Sequence, residues 1–391
     1  MRFIIILISV LFIAGCRPTE VPFSLQNEID SIVIKYVPDQ REEICTAKLK
    51  MEPGNVILIS GETNIPGAKK EILNILTKSG FNFTDSLSVL PDPLVLKKTW
   101  GLITLSVSNM KKRPSHSSEL VSQAIMGTPV KIFKKDGGWL LVQTPDYYLG
   151  WVDDSGIAEL TDIEFDKWKK SERLIYTAKS GDIISETDGG VVSDIVAGSI
   201  VNLVSEKKEF FVVQLPDGRR GRILKRDAAR FSKWLSEMNV QPERMILFGR
   251  SLTGSPYLWG GTSTKGVDCS GFVKTMYFTE GIILARDASQ QFLHGEPVEI
   301  SHDFSKLQKG DLLFFGHLVR GVKRITHVGL YIGDTEVIHS SGMVQVSSLD
   351  STRNNFSRNL LESLMGARRL IGQNSVKGIE KIKLNSWYNY P

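Results

Sequence analysis

Cysteine is scarce in this chain: its 391 residues hold three, Cys16, Cys45 and Cys269. There is no second cysteine pair and no His-Glu-x-x-His helix, so the sequence offers no recognisable zinc site, and neither metal nor cofactor is expected. Histidine is nearly as sparse, with His116, His294, His302, His317, His327 and His339. Charge is low as well. The net charge of +5 comes from lysines and arginines scattered along the chain, with no basic stripe interleaved with aromatics, which argues against a nucleic-acid partner. No low-complexity tract is present, and no apolar run reaches the about 20 residues that a membrane-crossing helix needs. The length exceeds one ordinary core and leads to an expectation of two to four domains.

What is there begins with "MRFIIILISVLFIAGC". One arginine, an apolar run from Phe3 to Ala14 and then small residues form the pattern of an export signal. Its ending resembles the lipobox of bacterial lipoproteins, in which the cysteine is lipidated and becomes the mature N-terminus; Ile13 stands where leucine is most usual. The expectation is a signal peptide over 1–15, lipidation at Cys16, and an exported lipoprotein held by its acyl chains at a membrane, periplasmic or on the cell surface. A soluble secreted protein cut nearby is the alternative. Cys45, in "REEICTAKLK", reads as a small buried hydrophobe. A disulfide from Cys45 to Cys269 is open to an exported protein but would silence the second thiol.

Residues 17–98 read as a small mixed α/β region, with "NVILIS" as a strand, "PGAKKEILNILTKSG" as an amphipathic helix closed by Gly80, and "PDP" at 91–93 as a linker. A repeat follows. "GTPVKI" (127–132) and "GSIVNL" (198–203) stand 71 residues apart, and at the same offset "LVQTPDYYLGWV" (141–152) faces "VVQLPDGRRGRI" (212–223). Short alternating strands around a Pro-Asp turn suggest a small barrel in each copy. The pair resembles bacterial SH3-like domains, over 99–158 and 165–230. Tyr148 and Trp151 of the first copy become Arg219 and Arg222 in the second. Either this is drift on an exposed face, or the first copy keeps an aromatic surface to line a pocket. From "FSKWLSEMNV" onward two helical segments precede the cysteine block. Four strand-like runs then follow, "KGDLLFFG", "RITHVGLYIG", "EVIHSSG" and "MGARRL", the order of an α+β domain.

"VDCSGFVKTMYFTEG" carries apolar residues at Phe272, Val273, Met276 and Tyr277, a helical stripe ending near Gly281, so Cys269 falls in a helix's first turn. Unpaired amides and the macrodipole there are expected to lower the thiol pKa, and Ser270 and Gly271 are expected to let a substrate backbone come close. His327 and His339, twelve residues apart on strands joined by a short turn, are expected to pair, one ring orienting the other. A lone strand histidine is more often a satisfied polar group; two on neighbouring strands, downstream of a helix-start cysteine, favour catalysis.

"PYLWGG", "VDCSGFV", "THVGLYIG" and "VIHSSG", in that order, resemble the NlpC-type bacterial cell-wall cysteine peptidases over about residues 235–372, leaving 373–391 as a tail. The resemblance implies a papain-like core, a catalytic triad on Cys269, His327 and His339, and support of the oxyanion by Tyr257. The lipobox and tandem SH3-like domains make the layout most similar to γ-D-glutamyl-L-diamino acid endopeptidases (dipeptidyl-peptidase VI). These cut murein stem peptides that have a free N-terminal L-Ala, where the diamino acid is lysine or diaminopimelate. In that group the first SH3-like domain caps the cleft, and the substrate ammonium is gripped by an acid, a tyrosine and the aspartate before the nucleophile. Here these fall on Glu119, Tyr148 and Asp268. Ser270 and "RDASQQ", with Arg286, Asp287 and Ser289, resemble the lining of the D-glutamyl subsite; Ala288 replaces a serine of some relatives. Arg286 and Asp287 are otherwise readable as a surface ion pair. A monomer with a murein peptide as partner is implied. The rivals are a D,L-endopeptidase or N-acetylmuramoyl-L-alanine amidase acting on intact peptidoglycan, and an inactive wall-binding lipoprotein.

Overall fold

The computed structural model describes residues 20–301 and 303–389, so the leader and Cys16 lie outside the described residues. The chain forms two compact units that part between Leu90 and Pro91. The first holds α1 (Phe23–Tyr36), β1 (Cys45–Glu52), β2 (Val56–Thr63), α2 (Pro66–Lys78) and β3 (Asn82–Val89). β2 pairs antiparallel with β1 and parallel with β3. Pro66 opens α2, where its missing N–H is no loss, and Gly80 follows the helix at φ 78°, a conformation glycine adopts without strain. Ala68, Ile72 and Leu76 bury one stripe of α2 against Ile57 and Ile59, and the free thiol of Cys45 is buried in the same core.

The second unit opens with a seven-stranded sheet made of β4 (Trp100–Ile103), β5 (Val107–Lys111), β6 (Leu120–Ile125), β7 (Pro129–Asp136), β8 (Trp139–Gln143), β9 (Leu149–Asp153) and β10 (Ile157–Leu160). Its strand order is β10-β4-β7-β8-β9-β5-β6. Leu96 packs into this core, so the segment after the Pro-Asp-Pro turn belongs to the barrel and not to the region before it. After α3 (Asp162–Lys170) come β11 (Arg173–Tyr176), β12 (Ser180–Ile184), β13 (Val191–Val196), β14 (Ile200–Glu206), β15 (Phe210–Gln214), β16 (Arg220–Leu224) and β17 (Ala228–Arg230). They are ordered β17-β11-β14-β15-β16-β12-β13, the same topology. The repeated glycines have a steric reason. A Cβ on Gly150 would stand 2.9 Å from Met110 Cβ, and one on Gly221 would stand 2.6 Å from Ile183 Cγ2.

The rest of the unit comprises α4 (Phe231–Ser236), α5 (Pro242–Ser251), β18 (Thr262–Ser263), β19 (Gly266–Val267), α6 (Cys269–Thr279), β20 (Ile282–Leu284), α7 (Ala288–Gln291), β21 (Glu296–Val298), β22 (Leu312–Val319), β23 (Val322–Gly333), β24 (Glu336–Ser341), β25 (Met343–Ser348), α8 (Arg358–Glu362), β26 (Leu364–Arg369) and β27 (Ile379–Lys381). Six strands form one sheet, β21-β26-β22-β23-β24-β25. Four of them are the expected runs; β21 and β25 are additional. Phe272, Val273, Met276 and Tyr277 of α6 are fully buried against this sheet, each worth about 1.5–3 kcal/mol. Residues 373–389 are no loose tail. β27 pairs with β20, and Tyr388 packs against Phe231 and Phe278 in a core that also takes Leu102 from the first barrel and Ile175 and Ile200 from the second.

Candidate active site

Asp268 caps α6, accepting from the Gly271 amide at 2.7 Å, and so sets Cys269 in the first turn. A Cβ on Gly271 would stand 2.0 Å from the Gly261 carbonyl oxygen. The small residue there serves the packing of α6 on the "YLWGG" loop. Cys269 is buried and free of any disulfide, and the backbone amides of Val328 and Ser270 favour its anion.

The expected lowering of the Cys269 pKa is also corrected. Burial, and after it the charge of Asp268, pushes the thiol up to about 11; the two amides and Arg286 only partly offset this. Helix-end dipoles are modest in size, whereas removing a thiolate from water carries a large cost. Cys269 therefore rests as a neutral thiol.

Val328, whose amide reaches the sulfur, follows His327 on β23, so the chain brings the two residue types to one place. His327 Nε2 lies 3.0 Å from His339 Nδ1, and His339 Nε2 lies 3.0 Å from Ser347 Oγ on β25. Gly329 makes this packing possible: a Cβ there would stand 3.0 Å from His339 Cβ and 2.5 Å from Val337 Cγ1. His327 sits in mid-strand. Burial, then His339, brings His327 down to about 3, with Asp268 opposing; burial brings His339 down to about 4. Both rings rest neutral near pH 7, and the ring pair engages Nε2 of His327, not its Nδ1.

Around the triad the structure departs from expectation in its ion pairing. Arg286 is fully buried, not on the surface. Its Nη2 and Nη1 donate to Asp268 Oδ2 at 2.6 Å and Oδ1 at 3.1 Å, Nη1 also to Ser270 Oγ at 3.0 Å, and Nε to Ser122 Oγ of the first barrel at 3.1 Å. Burial alone would lower the Arg286 pKa; the Asp268 charge and hydrogen bonds hold it above its ordinary value. Asp287, 3.9 Å from Arg286, accepts instead from the Tyr148 hydroxyl at 3.2 Å. Tyr148 is thus buried at the junction of barrel and cleft, while its counterpart Arg219 is exposed and bonds Asp217. Of the two readings of the retained aromatics, the tyrosine favours the pocket. Ser289 is half-buried on α7, and Ala288 is buried.

Tyr257 lies on the same loop as Asp268's partner Gly260 and pairs with Val267 through an isolated bridge. Burial, followed by Cys269 and Asp268, pushes its phenol up to about 12, so it remains a hydrogen-bond donor. Glu119 accepts from Trp259 Nε1 at 3.2 Å and pairs with Lys112 at 3.1 Å. It stands at the rim of the barrel and is partly exposed. Ser347 and Ser122 were missed in the sequence. The alternation of "MVQVSS" marks a strand that would have carried Ser347 beside His339; nothing local marks Ser122.

Two family descriptions match the chain: NlpC/P60 family over residues 254–364 and bacterial dipeptidyl-peptidase Sh3 domain over 110–157. A γ-D-glutamyl-L-lysine dipeptidyl-peptidase of Bacillus cereus is 30% identical over 66% of this chain and 77% of its own length. Dipeptidyl-peptidase 6 of Lysinibacillus sphaericus is 29% identical over 64% of this chain and 92% of its own. Among solved structures, an NlpC/P60 family protein of Bacillus cereus superposes with a TM-score of 0.61 at 24% identity, covering 70% of this chain and 99% of that one, which establishes likeness of fold.

Proposed function

Because this chain belongs to the NlpC/P60 family, we propose that it is a cysteine peptidase hydrolysing the γ-D-glutamyl-L-diamino acid bond of murein stem peptides that carry a free N-terminal L-Ala, releasing L-Ala-D-Glu. The observation that carries this is the closing of the cleft by the first barrel, whose Tyr148 bonds Asp287 beside the Cys269 helix. Asp268 is balanced by Arg286. The substrate ammonium is assigned to Asp268 and Tyr148, with Glu119 at the rim and Asp287 bonded to the Tyr148 hydroxyl beside them. Ser270, Arg286 and Ser289 are assigned to the D-glutamyl side. An acetylated or polymer-linked amine brings no charge to such a wall and leaves its polar groups unpaired.

In the reaction, the Cys269 sulfur attacks the amide carbonyl carbon as its proton passes to Nδ1 of His327. This coupling suits a thiol and an imidazole that both rest neutral. The Cys269 amide and the Tyr257 hydroxyl hold the oxyanion. The carbon–nitrogen bond then breaks and His327 returns the proton to the departing amine of the diamino acid. Water attacks the thioester, His327 takes one of its protons, and the sulfur leaves as the thiol.

The test offers L-Ala-γ-D-Glu-L-Lys and its diaminopimelate counterpart, each with free and acetylated N-termini. At least about a hundredfold preference in kcat/KM for the free amine is expected, the scale of a lost buried polar pairing; equal rates overturn the reading. Solubilisation of intact sacculi would favour the D,L-endopeptidase or amidase alternative instead. The leader supports a second part of the reading, a lipoprotein anchored through Cys16. Mass spectrometry of the mature N-terminus should find a diacylated or triacylated cysteine, and an unmodified N-terminus would rule the anchor out.

A further inference from the structure

Beyond the triad, we propose that Ser347 is a positioning residue of this reaction, accepting the Nε2–H of His339 and thereby holding the histidine pair in the proton arrangement that lets His327 act as a base. The assignment rests on the catalytic reading of His327 and His339 given above.

The hydrogen bond between the rings admits two arrangements. In one, His327 Nε2–H donates to His339 Nδ1, and Nδ1 of His327 is bare and able to take the Cys269 proton. In the other, His339 Nδ1–H donates to His327 Nε2, which forces the proton of neutral His327 onto Nδ1, where it blocks transfer from sulfur. Only the first is productive. It obliges His339 to carry its own proton on Nε2, and His339 is buried, 3% exposed. That N–H needs an acceptor, because an orphaned buried donor is penalised more heavily than an orphaned acceptor. Ser347 Oγ, 3.0 Å away and itself buried, meets the need.

The placement follows from the strand register. β24 pairs with β25 so that His339 faces Gln345 and Val337 faces Ser347. Residues 345 and 347 therefore share the face of His339, and Ser347 reaches it diagonally. Without the hydroxyl, the productive arrangement leaves Nε2–H unpaired while the blocked one leaves only a lone pair unpaired, so the equilibrium moves toward the blocked state. No proton is lost or gained overall; the pair merely redistributes two protons among four ring nitrogens.

The experiment compares the full chain with Ser347→Ala and Ser347→Thr by kinetics on L-Ala-γ-D-Glu-L-Lys and by ¹⁵N NMR of histidine-labelled protein near pH 7, with His339→Gln identifying the ring signals. For Ser347→Ala, kcat should fall about tenfold with KM nearly unchanged, the effect of one buried hydrogen bond. The His339 ring should shift from a pure Nε2–H signature toward a mixture, and Ser347→Thr should restore both. An unchanged ring signature or an unchanged kcat in Ser347→Ala overturns the proposal, as does a loss that threonine fails to restore. The ring signature needs no turnover. If it responds as expected in a protein that does not cleave the tripeptide, the substrate reading falls and the role of Ser347 stands.

Discussion

At the scale of single residues, the site is governed by burial. His327 and His339 are held neutral, at about 3 and about 4 against an ordinary 6.5. Their unfolded forms bind protons that the folded forms refuse, so the stability they permit is present above about pH 6.5 and is lost as pH falls toward 4. Each ring should subtract about 1.4 kcal/mol per pH unit in that window. Urea midpoints should fall steeply between those pH values, and His339→Gln should flatten the slope; a slope untouched by that substitution would contradict the burial argument. Arg286 gives a second expectation. Arg286→Met leaves the Asp268 carboxylate buried without its cation, with its charge still acting on the Cys269 thiol. Removing one partner of a buried pair costs about 3–5 kcal/mol, and the thiol should rise further. Denaturation should show that loss, and iodoacetamide alkylation rates against pH should show a thiol less readily ionised than in the parent. The identities of these groups were readable in the sequence, since a helix-start cysteine and two spaced histidines announce themselves. The direction of the thiol shift was not readable, because a macrodipole is local to the helix while desolvation depends on everything packed over it.

Among the elements, the sequence pattern fared well where periodicity is strong and poorly where contact is long-range. The α6 stripe and the β22, β23, β24 and β26 runs follow from alternation and helical spacing. The repeat offset anticipated two sheets of identical strand order. β25 was overlooked because its alternation runs over only six residues directly after the Gly342 turn, and with it went Ser347. The surface reading of Arg286 stayed open beside the subsite reading because nothing in "RDASQQ" announces that Ser122, 164 residues earlier, closes over it. The β23–β24 packing also supplies a test at this scale. Gly329 lies under His339, and Gly329→Ala drives a methyl to within 2.5 Å of Val337 Cγ1. Overpacking of this kind costs about 1–3 kcal/mol. The strain falls on the strand pair that sets the distance between the imidazoles, so kcat should drop by at least about tenfold while the protein remains folded. Circular dichroism with single-turnover kinetics would separate the two effects, and a stable variant of full activity would show that the strands absorb the methyl elsewhere.

For the molecule from Pro91 onward, the proposed function divides catalysis and selectivity between modules tied by one shared core. The first barrel presents Tyr148 and Ser122 to the catalytic domain, and Gln123 accepts from Thr262 at that seam. Lys265 bridges Ser106 of the first barrel and Asp194 of the second. The chain's end completes the junction. Trp387 meets Trp100 edge to face at 5.0 Å, and the Tyr388 carbonyl accepts from the buried Arg173 at 2.8 Å. Trp387 packs on Trp100, and Tyr388 on Phe231, Phe278 and Arg173, so their loss should loosen the barrel's seat without altering the relay of Cys269, His327 and His339. In Trp387→Ala/Tyr388→Ala, truncation of the buried Tyr388 should cost about 3–5 kcal/mol and that of the half-buried Trp387 less. The preference for a free over an acetylated N-terminus should shrink by at least about tenfold, mostly through KM for the free-amine peptide, because the wall proposed to read the ammonium is no longer fixed. Thiol titration of Cys269 should be unchanged. If instead kcat collapses and the preference survives, the tail supports the catalytic core, and the barrel is seated by its own contacts with β18 and α7.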